Sequence, residues 1–116
     1  MQIGVPMEIK PQECRVGMTP AGVRELVAAG NTVHVQTQCG ARIGLTDTMY
    51  RDAGAQVIET AEALFANCDM IVKVKEPQAR ECHLLRADQT LFTYLHLAAD
   101  PQQAELLMAS GANCIA

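Results

Sequence analysis

Arg15, Lys75 and His96 each fall just after a run of residues with strand character. In an open α/β sheet, ligands bind outside the carboxyl ends of the strands, so side chains delivered there by separate strands can converge on one small anion. Arg15 stands in Glu13-Cys14-Arg15-Val16-Gly17. Its planar guanidinium can give a carboxylate two parallel hydrogen bonds. The plainer alternative is a solvated arginine paired with Glu8 or Glu13. Lys75 closes Met70-Ile71-Val72-Lys73-Val74-Lys75, and in a strand Lys73 would share its face. Lys75 is a point charge suited to polarising or bonding a carbonyl; the alternative makes both lysines ordinary strand-end charges partnered by Glu76. His96 is embedded in Tyr94-Leu95-His96-Leu97-Ala98, where a charge is costly unless paired. An imidazole titrating near neutrality suits proton transfer, against a structural histidine as the alternative. His34, between Val33 and Val35, and His83, in a helical stretch, read as structural or exposed.

The elements that must hold these residues alternate in type. Strand-length runs rich in β-branched or aromatic residues lie at Ile3–Val5, Thr32–Val35, Gln56–Ile58, Met70–Val74, Thr90–Leu95 and Asn113–Ile115. Helical segments lie between them. Thr19 N-caps one, with Pro20 at its first position, and Val23, Leu26 and Val27 form its apolar face. Thr60 caps another, with Leu64 and Phe65 facing inward, and Asp100-Pro101 opens a third, with Gln103 in the place of a capping-box partner. A shorter helix spans Gln78 to Leu85, and a weak turn follows Thr46-Asp47. Gly30, Gly54 and Gly111 each end a helix just before a strand, the position where a left-handed residue feeds an αβ loop. Strict β-α alternation implies a mainly parallel sheet with helices on both faces, a three-layer α/β/α domain. The last strand runs up to Ala116 with no tail, which reads as a chain cut at a domain seam.

Composition narrows the function. The chain has 116 residues, one domain or part of one, and its 49% hydrophobic and 19% charged residues mark it as globular. A net charge of −4 and 3% aromatics, with no basic stripe, argue against a nucleic-acid partner. No apolar run approaches the ~20 residues of a membrane span, and the opening residues lack a signal-peptide pattern, so a cytoplasmic protein is expected. Five scattered cysteines with no C-x-x-C pair point away from zinc and disulfides. Most read as small buried hydrophobes; Cys14 differs because the neighbouring Arg15 favours a thiolate. No G-x-G-x-x-G follows any strand, and Gly40-Ala41-Arg42-Ile43-Gly44 has the wrong spacing. From the residues alone the reading stops at a domain that binds a small carboxylate and transfers a proton.

Three stretches carry a resemblance. Ile3-Gly4-Val5-Pro6-x-Glu8-Ile9-Lys10 with Glu13-x-Arg15-Val16-Gly17-Met18-Thr19-Pro20, then Ile71-Val72-Lys73-Val74-Lys75-Glu76-Pro77-Gln78, then Leu91-Phe92-Thr93-Tyr94-Leu95-His96-Leu97-Ala98-Ala99-Asp100, resemble the N-terminal segment of alanine dehydrogenases. The likeness runs over the whole chain, and it implies a Rossmann-like or flavodoxin-like substrate domain of which residues 1–116 are a part. By the resemblance, the enzyme interconverts L-alanine with pyruvate and ammonia using NAD. Arg15 holds the substrate carboxylate, Lys75 binds the carboxylate or carbonyl of pyruvate, and His96 is the general acid/base. Tyr94 lines the pocket and Glu76 holds Lys75. The family's NAD-binding domain and a catalytic aspartate lie outside this chain, which is therefore not expected to turn over alone. A homo-oligomer, hexameric in the family, is implied as well. Cys14 and the run Gln36 to Arg42 depart from the family's habit. The related N-terminal domain of proton-translocating transhydrogenases is the alternative family member, and saccharopine-type dehydrogenases share the fold with weaker motif agreement. A truncated binding module without catalysis is the alternative from another class.

Overall fold

The apolar runs form six strands: β1 Gln2–Val5, β2 Thr32–Gln36, β3 Gln56–Ile58, β4 Met70–Val72, β5 Thr90–Phe92 and β6 Asn113–Ile115. Five α-helices connect them: α1 Pro20–Ala28, α2 Asp47–Asp52, α3 Ala61–Asn67, α4 Ala79–Cys82 and α5 Pro101–Ser110, with a 3-10 turn at Ala41–Ile43. This computed structural model describes residues 1–93 and 101–115, the side chain of Gln103 apart. Tyr94, His96, the end of the fifth expected strand, the Asp100 cap and Ala116 lie outside the described residues.

All five strand pairings among the described residues are parallel, in the order β3-β2-β1-β4-β5-β6. Of the two doubly wound arrangements expected, this is the Rossmann order. The chain moves outward from β1 to β3, crosses back, and moves outward again from β4 to β6, so adjacent β1 and β4 feed connections in opposite directions. Right-handed crossovers then require the helices of the two halves to lie on opposite faces. The packing agrees. Ile3, Val5, Val33 and Val35 form one core with Val23 of α1 and Tyr50 of α2. Leu64, Phe65 and Cys68 pack on the other face with Ile71, Leu91, Cys82 and Leu107. Burying each Leu or Phe side chain of this kind contributes about 1.5–3 kcal/mol.

Helix ends follow from their residues. Thr19 Oγ1 accepts from Gly22 N at 3.4 Å with Pro20 leading α1, and Thr60 Oγ1 accepts from Ala63 N at 3.2 Å. The weak turn after Thr46 is the full helix α2, its Thr46 Oγ1 accepting from Met49 N at 3.2 Å. Gly30, Gly54 and Gly111 have φ of 97°, 106° and 73°, the left-handed conformation expected of them. The helix expected over Gln78 to Leu85 is shorter, a single turn.

The strand expected to continue to Val74 or beyond stops at Val72. Lys73 N still donates to Phe92 O at 3.0 Å. The next two backbone N–H groups, of Val74 and Lys75, are taken instead by the Glu8 carboxylate at 3.0 and 3.2 Å. A side-chain acceptor from the loop after β1 has replaced the neighbouring strand, and the sheet ends there.

Candidate active site

Two loops leave the sheet side by side at the β1/β4 reversal: residues 6–19 after β1 and residues 73–78 after β4. A cleft at such a switch point forms because the two connections diverge to opposite faces. Arg15 belongs to the first loop and Lys75 to the second, so the structure brings these two expected site residues to the same end of neighbouring strands.

The first loop is held along its length. Met7 N donates to Gln36 Oε1 at 2.9 Å, and Tyr50 Oη donates to Met18 O at 2.7 Å. Between them, Lys10-Pro11-Gln12-Glu13 forms a tight turn closed by Glu13 N to Lys10 O at 3.1 Å, with Gln12 at φ 67°. Pro at the second position and a positive φ at the third are the marks of a type II turn. Gly17 presses on the end of β4: a Cβ there would lie 2.5 Å from Val72 O and 2.9 Å from Val72 C. Only a residue without a side chain lets the Arg15 loop approach the Lys75 loop so closely.

Arg15 makes a bidentate pair with Glu13, Nε to Oε2 and Nη2 to Oε1, both 3.0 Å, and Arg15 N donates to Oε2 at 2.8 Å. Of the expected alternatives, pairing with Glu13 is the one observed. The arginine side chain is 63% exposed while the glutamate is buried. The Arg15 hydrogen bond holds the Glu13 carboxyl at about 2, far below its ordinary value, and the Lys75 charge helps. Arg42 Nη1 donates to Glu13 O at 2.7 Å, closing the turn from the far side. Cys14 is exposed, its Sγ 3.9 Å from Gln12 O.

The second loop corrects the expectation that Lys73 and Lys75 are strand residues on one face. Lys73 is buried, its Nζ 3.0 Å from both Glu8 Oε1 and Glu81 Oε2. Lys75 is half-buried on an irregular segment. Glu76, assigned to hold Lys75, forms an ion pair with Lys10 of the first loop. What sequence reasoning missed is that Lys73 is buried between Glu8 and Glu81. A signal for this was present: an ammonium inside the most apolar run demands a buried anion. His34 is buried in β2, its Nε2 2.6 Å from Gln2 Oε1, and His83 is exposed; both are structural or surface residues, as expected. Cys39, Cys68 and Cys82 are buried thiols.

A Rossmann-order sheet invites comparison with dinucleotide sites, and the residues here do not fit one. Pro6-Met7-Glu8 follows β1 in place of a glycine-rich turn. The buried carboxylates of Glu8 and Glu13 occupy the loop that would cradle a pyrophosphate, and they would repel it. Among the described residues no helix is long and apolar enough to cross a membrane.

The fold is an open α/β domain that brings Arg15 and Lys75 to the carboxyl ends of the neighbouring strands β1 and β4. The family model of the alanine dehydrogenase/PNT N-terminal domain matches residues 4–116, and the chain belongs to that family. The alanine dehydrogenase of Halomonas elongata is 49% identical over 116 residues, 100% of this chain and 31% of that protein. That of Mycobacterium tuberculosis (strain H37Rv) is 45% identical over the same length, again 31% of the protein. A solved L-alanine dehydrogenase superposes with a TM-score of 0.95 at 52% identity, covering 100% of this chain and 32% of the other. A transhydrogenase from Sinorhizobium meliloti gives a TM-score of 0.91 at 24% identity, over 34% of that chain, a likeness of fold. The chain thus spans about a third of the length of the relatives it matches.

Proposed function

We propose that this chain is the substrate-binding N-terminal part of an NAD-dependent L-alanine dehydrogenase, which interconverts L-alanine and water with pyruvate and ammonia. The observation that carries the reading is the delivery of Arg15 and Lys75 by two cross-braced loops at the β1/β4 reversal, in a chain of this family. Relatives at 43–52% identity that bear the dehydrogenase name favour it over the transhydrogenase alternative at 24%.

In this reading Arg15 clamps the substrate carboxylate. Glu13 holds its Nε and Nη2 and so fixes the plane of the guanidinium. Lys75 places its ammonium against the carbonyl oxygen of pyruvate and stabilises the negative charge that grows there as the carbonyl is attacked. His96 moves protons at the carbinolamine and imine stages, with Tyr94 lining the pocket. NAD and a further catalytic aspartate belong to parts of the enzyme outside these residues. The assembled enzyme is read as a cytoplasmic homo-oligomer, hexameric as its family implies.

The test is a pyruvate titration of the isotopically labelled chain followed by NMR. Amide shifts concentrated at the Arg15 and Lys75 loops at millimolar pyruvate are expected. In the complete enzyme Arg15→Lys should raise KM by roughly 10- to 100-fold, the worth of one charge-assisted hydrogen bond. An absence of shifts together with an unchanged KM would sink the reading.

A further inference from the structure

Glu8, Lys73 and Glu81 form a buried triad whose acceptors are spent in an informative way. Glu8 Oε1 takes Lys73 Nζ at 3.0 Å and Lys75 N at 3.2 Å, and Oε2 takes Val74 N at 3.0 Å. One carboxylate therefore gathers donors from three successive residues. Glu81 Oε2 takes the same Lys73 Nζ at 3.0 Å, and its Oε1 takes Gln78 N at 2.9 Å, at the start of α4. The three side chains are 1–3% exposed. The segment from Lys73 to Gln78 is thus fastened near both ends by carboxylates that meet on Lys73. Burial pushes the Glu81 carboxyl up, against the pull of Lys73, so the arrangement is held at an electrostatic cost.

Stability alone is a weak reason for such a triad, because replacing buried ion pairs with apolar side chains is often neutral or stabilising. Neutralising Lys73 would need one carboxylate, not two. What the second set of contacts provides is geometry. Lys75 has its N–H held by Glu8 and its C=O held by Thr93 Oγ1 at 2.9 Å. Both backbone polar groups of that one residue are fixed by side chains from other elements. Glu8 comes from the loop that carries Arg15, and Thr93 is the last described residue before the segment that carries His96.

We propose that Glu8 is a positioning residue: it fixes the backbone of Lys75, and through it the place of the Lys75 ammonium relative to Arg15. Lys73 and Glu81 keep the Glu8 carboxylate in place. The inference rests on the reading that Lys75 contacts substrate. Glu8→Gln keeps the shape but turns one acceptor into a donor, so either the Val74 contact or both the Lys73 and Lys75 contacts must break. A displacement of the Lys75 ammonium of the order of 1 Å costs about 10²-fold in rate. Because the carbonyl's charge develops in the transition state, the loss appears in kcat with little change in KM.

A double-mutant cycle in the complete enzyme tests this. Glu8→Gln should lower kcat by roughly 10- to 100-fold in the native background and by less than about twofold in a Lys75→Ala background, since a residue acting through Lys75 has nothing left to position. The same loss in both backgrounds would overturn the role of Glu8 while leaving Lys75 in the site. Near-normal kcat for Lys75→Ala would overturn the substrate-contact reading itself. Hydrogen exchange on the unmutated protein gives a second check that does not depend on a variant folding. The Val74 and Lys75 amides should be protected although they lie beyond the sheet, and rapid exchange at both would overturn the brace.

Discussion

Glu13 and Arg15 show how a short-range pair serves a binding site. The two residues are near in sequence, yet one is buried and the other 63% exposed, so the carboxylate acts as a fixed foot for a guanidinium that reaches solvent. The pair makes a definite pH prediction. The folded-state value of Glu13 is depressed from 4.5 to about 2 by the Arg15 hydrogen bond. A depressed acid stabilises the fold fully above its unfolded value, and that contribution drains away as the pH falls through the folded one. The loss should therefore fall between about pH 4.5 and pH 2, and Arg15 should stay oriented throughout the neutral range. An NMR titration of the Glu13 side-chain carboxyl should give a midpoint near 2, and a midpoint above 4 would mean that the pair is not formed in solution. At this scale much was legible. The types and order of Arg15, Lys75 and Glu13 were visible, because cations just after apolar runs are conspicuous. What was not legible was partnership: Glu76 pairs with Lys10 and Lys73 with Glu8 and Glu81, contacts between residues far apart in sequence or set by a loop path that no periodicity encodes.

At the scale of elements, the site depends on how closely the 6–19 loop can lie on the end of β4. Gly17 sets that distance, since an ideal Cβ would sit within 3.1 Å of three backbone atoms of Val72 and Lys73. Backbone cannot step aside as a flexible side chain can. Gly17→Ala should therefore move the loops apart, costing about 1–3 kcal/mol as overpacking usually does and raising the substrate KM of the complete enzyme as Arg15 and Lys75 separate. Denaturant unfolding measures the first and steady-state kinetics the second; a variant matching the native protein in both would show that the close approach is unimportant. The elements themselves were readable because their punctuation is chemical: Thr19 and Thr60 cap helices and Gly30, Gly54 and Gly111 end them. The length of β4 was not, since its end is imposed by Glu8 from another loop rather than by a breaker in its own sequence. Nor was the strand order, for alternation predicts parallel pairing without saying which strands become neighbours.

At the scale of the whole chain, the described helices clothe the sheet unevenly. Helices α1 and α2 cover one face over β1 to β3, and α3 to α5 lie on the other. On the α1 side, the half made by β4 to β6 presents Met70, Val72, Phe92 and Ile115 to a groove of about 630 Å³ beside Met18 and Leu26. Phe92 and Ile115 are each 47% exposed. Apolar residues on both faces of a strand suit a parallel sheet buried on both sides, and contiguous exposed apolar surface is uncommon without a use. The composition of these strands registers an apolar environment but not what provides it. The groove should take up a hydrophobic dye: the 116-residue chain should enhance ANS fluorescence in its native state. Phe92→Gln should weaken that enhancement while changing unfolding stability by no more than about 0.5 kcal/mol, as expected of a side chain with little packing to lose. A native chain that leaves the dye dark would show that this face is closed in solution. A variant that loses stability as well as dye binding would show that Phe92 belongs to the core, and the groove would then be shallower than its outline suggests.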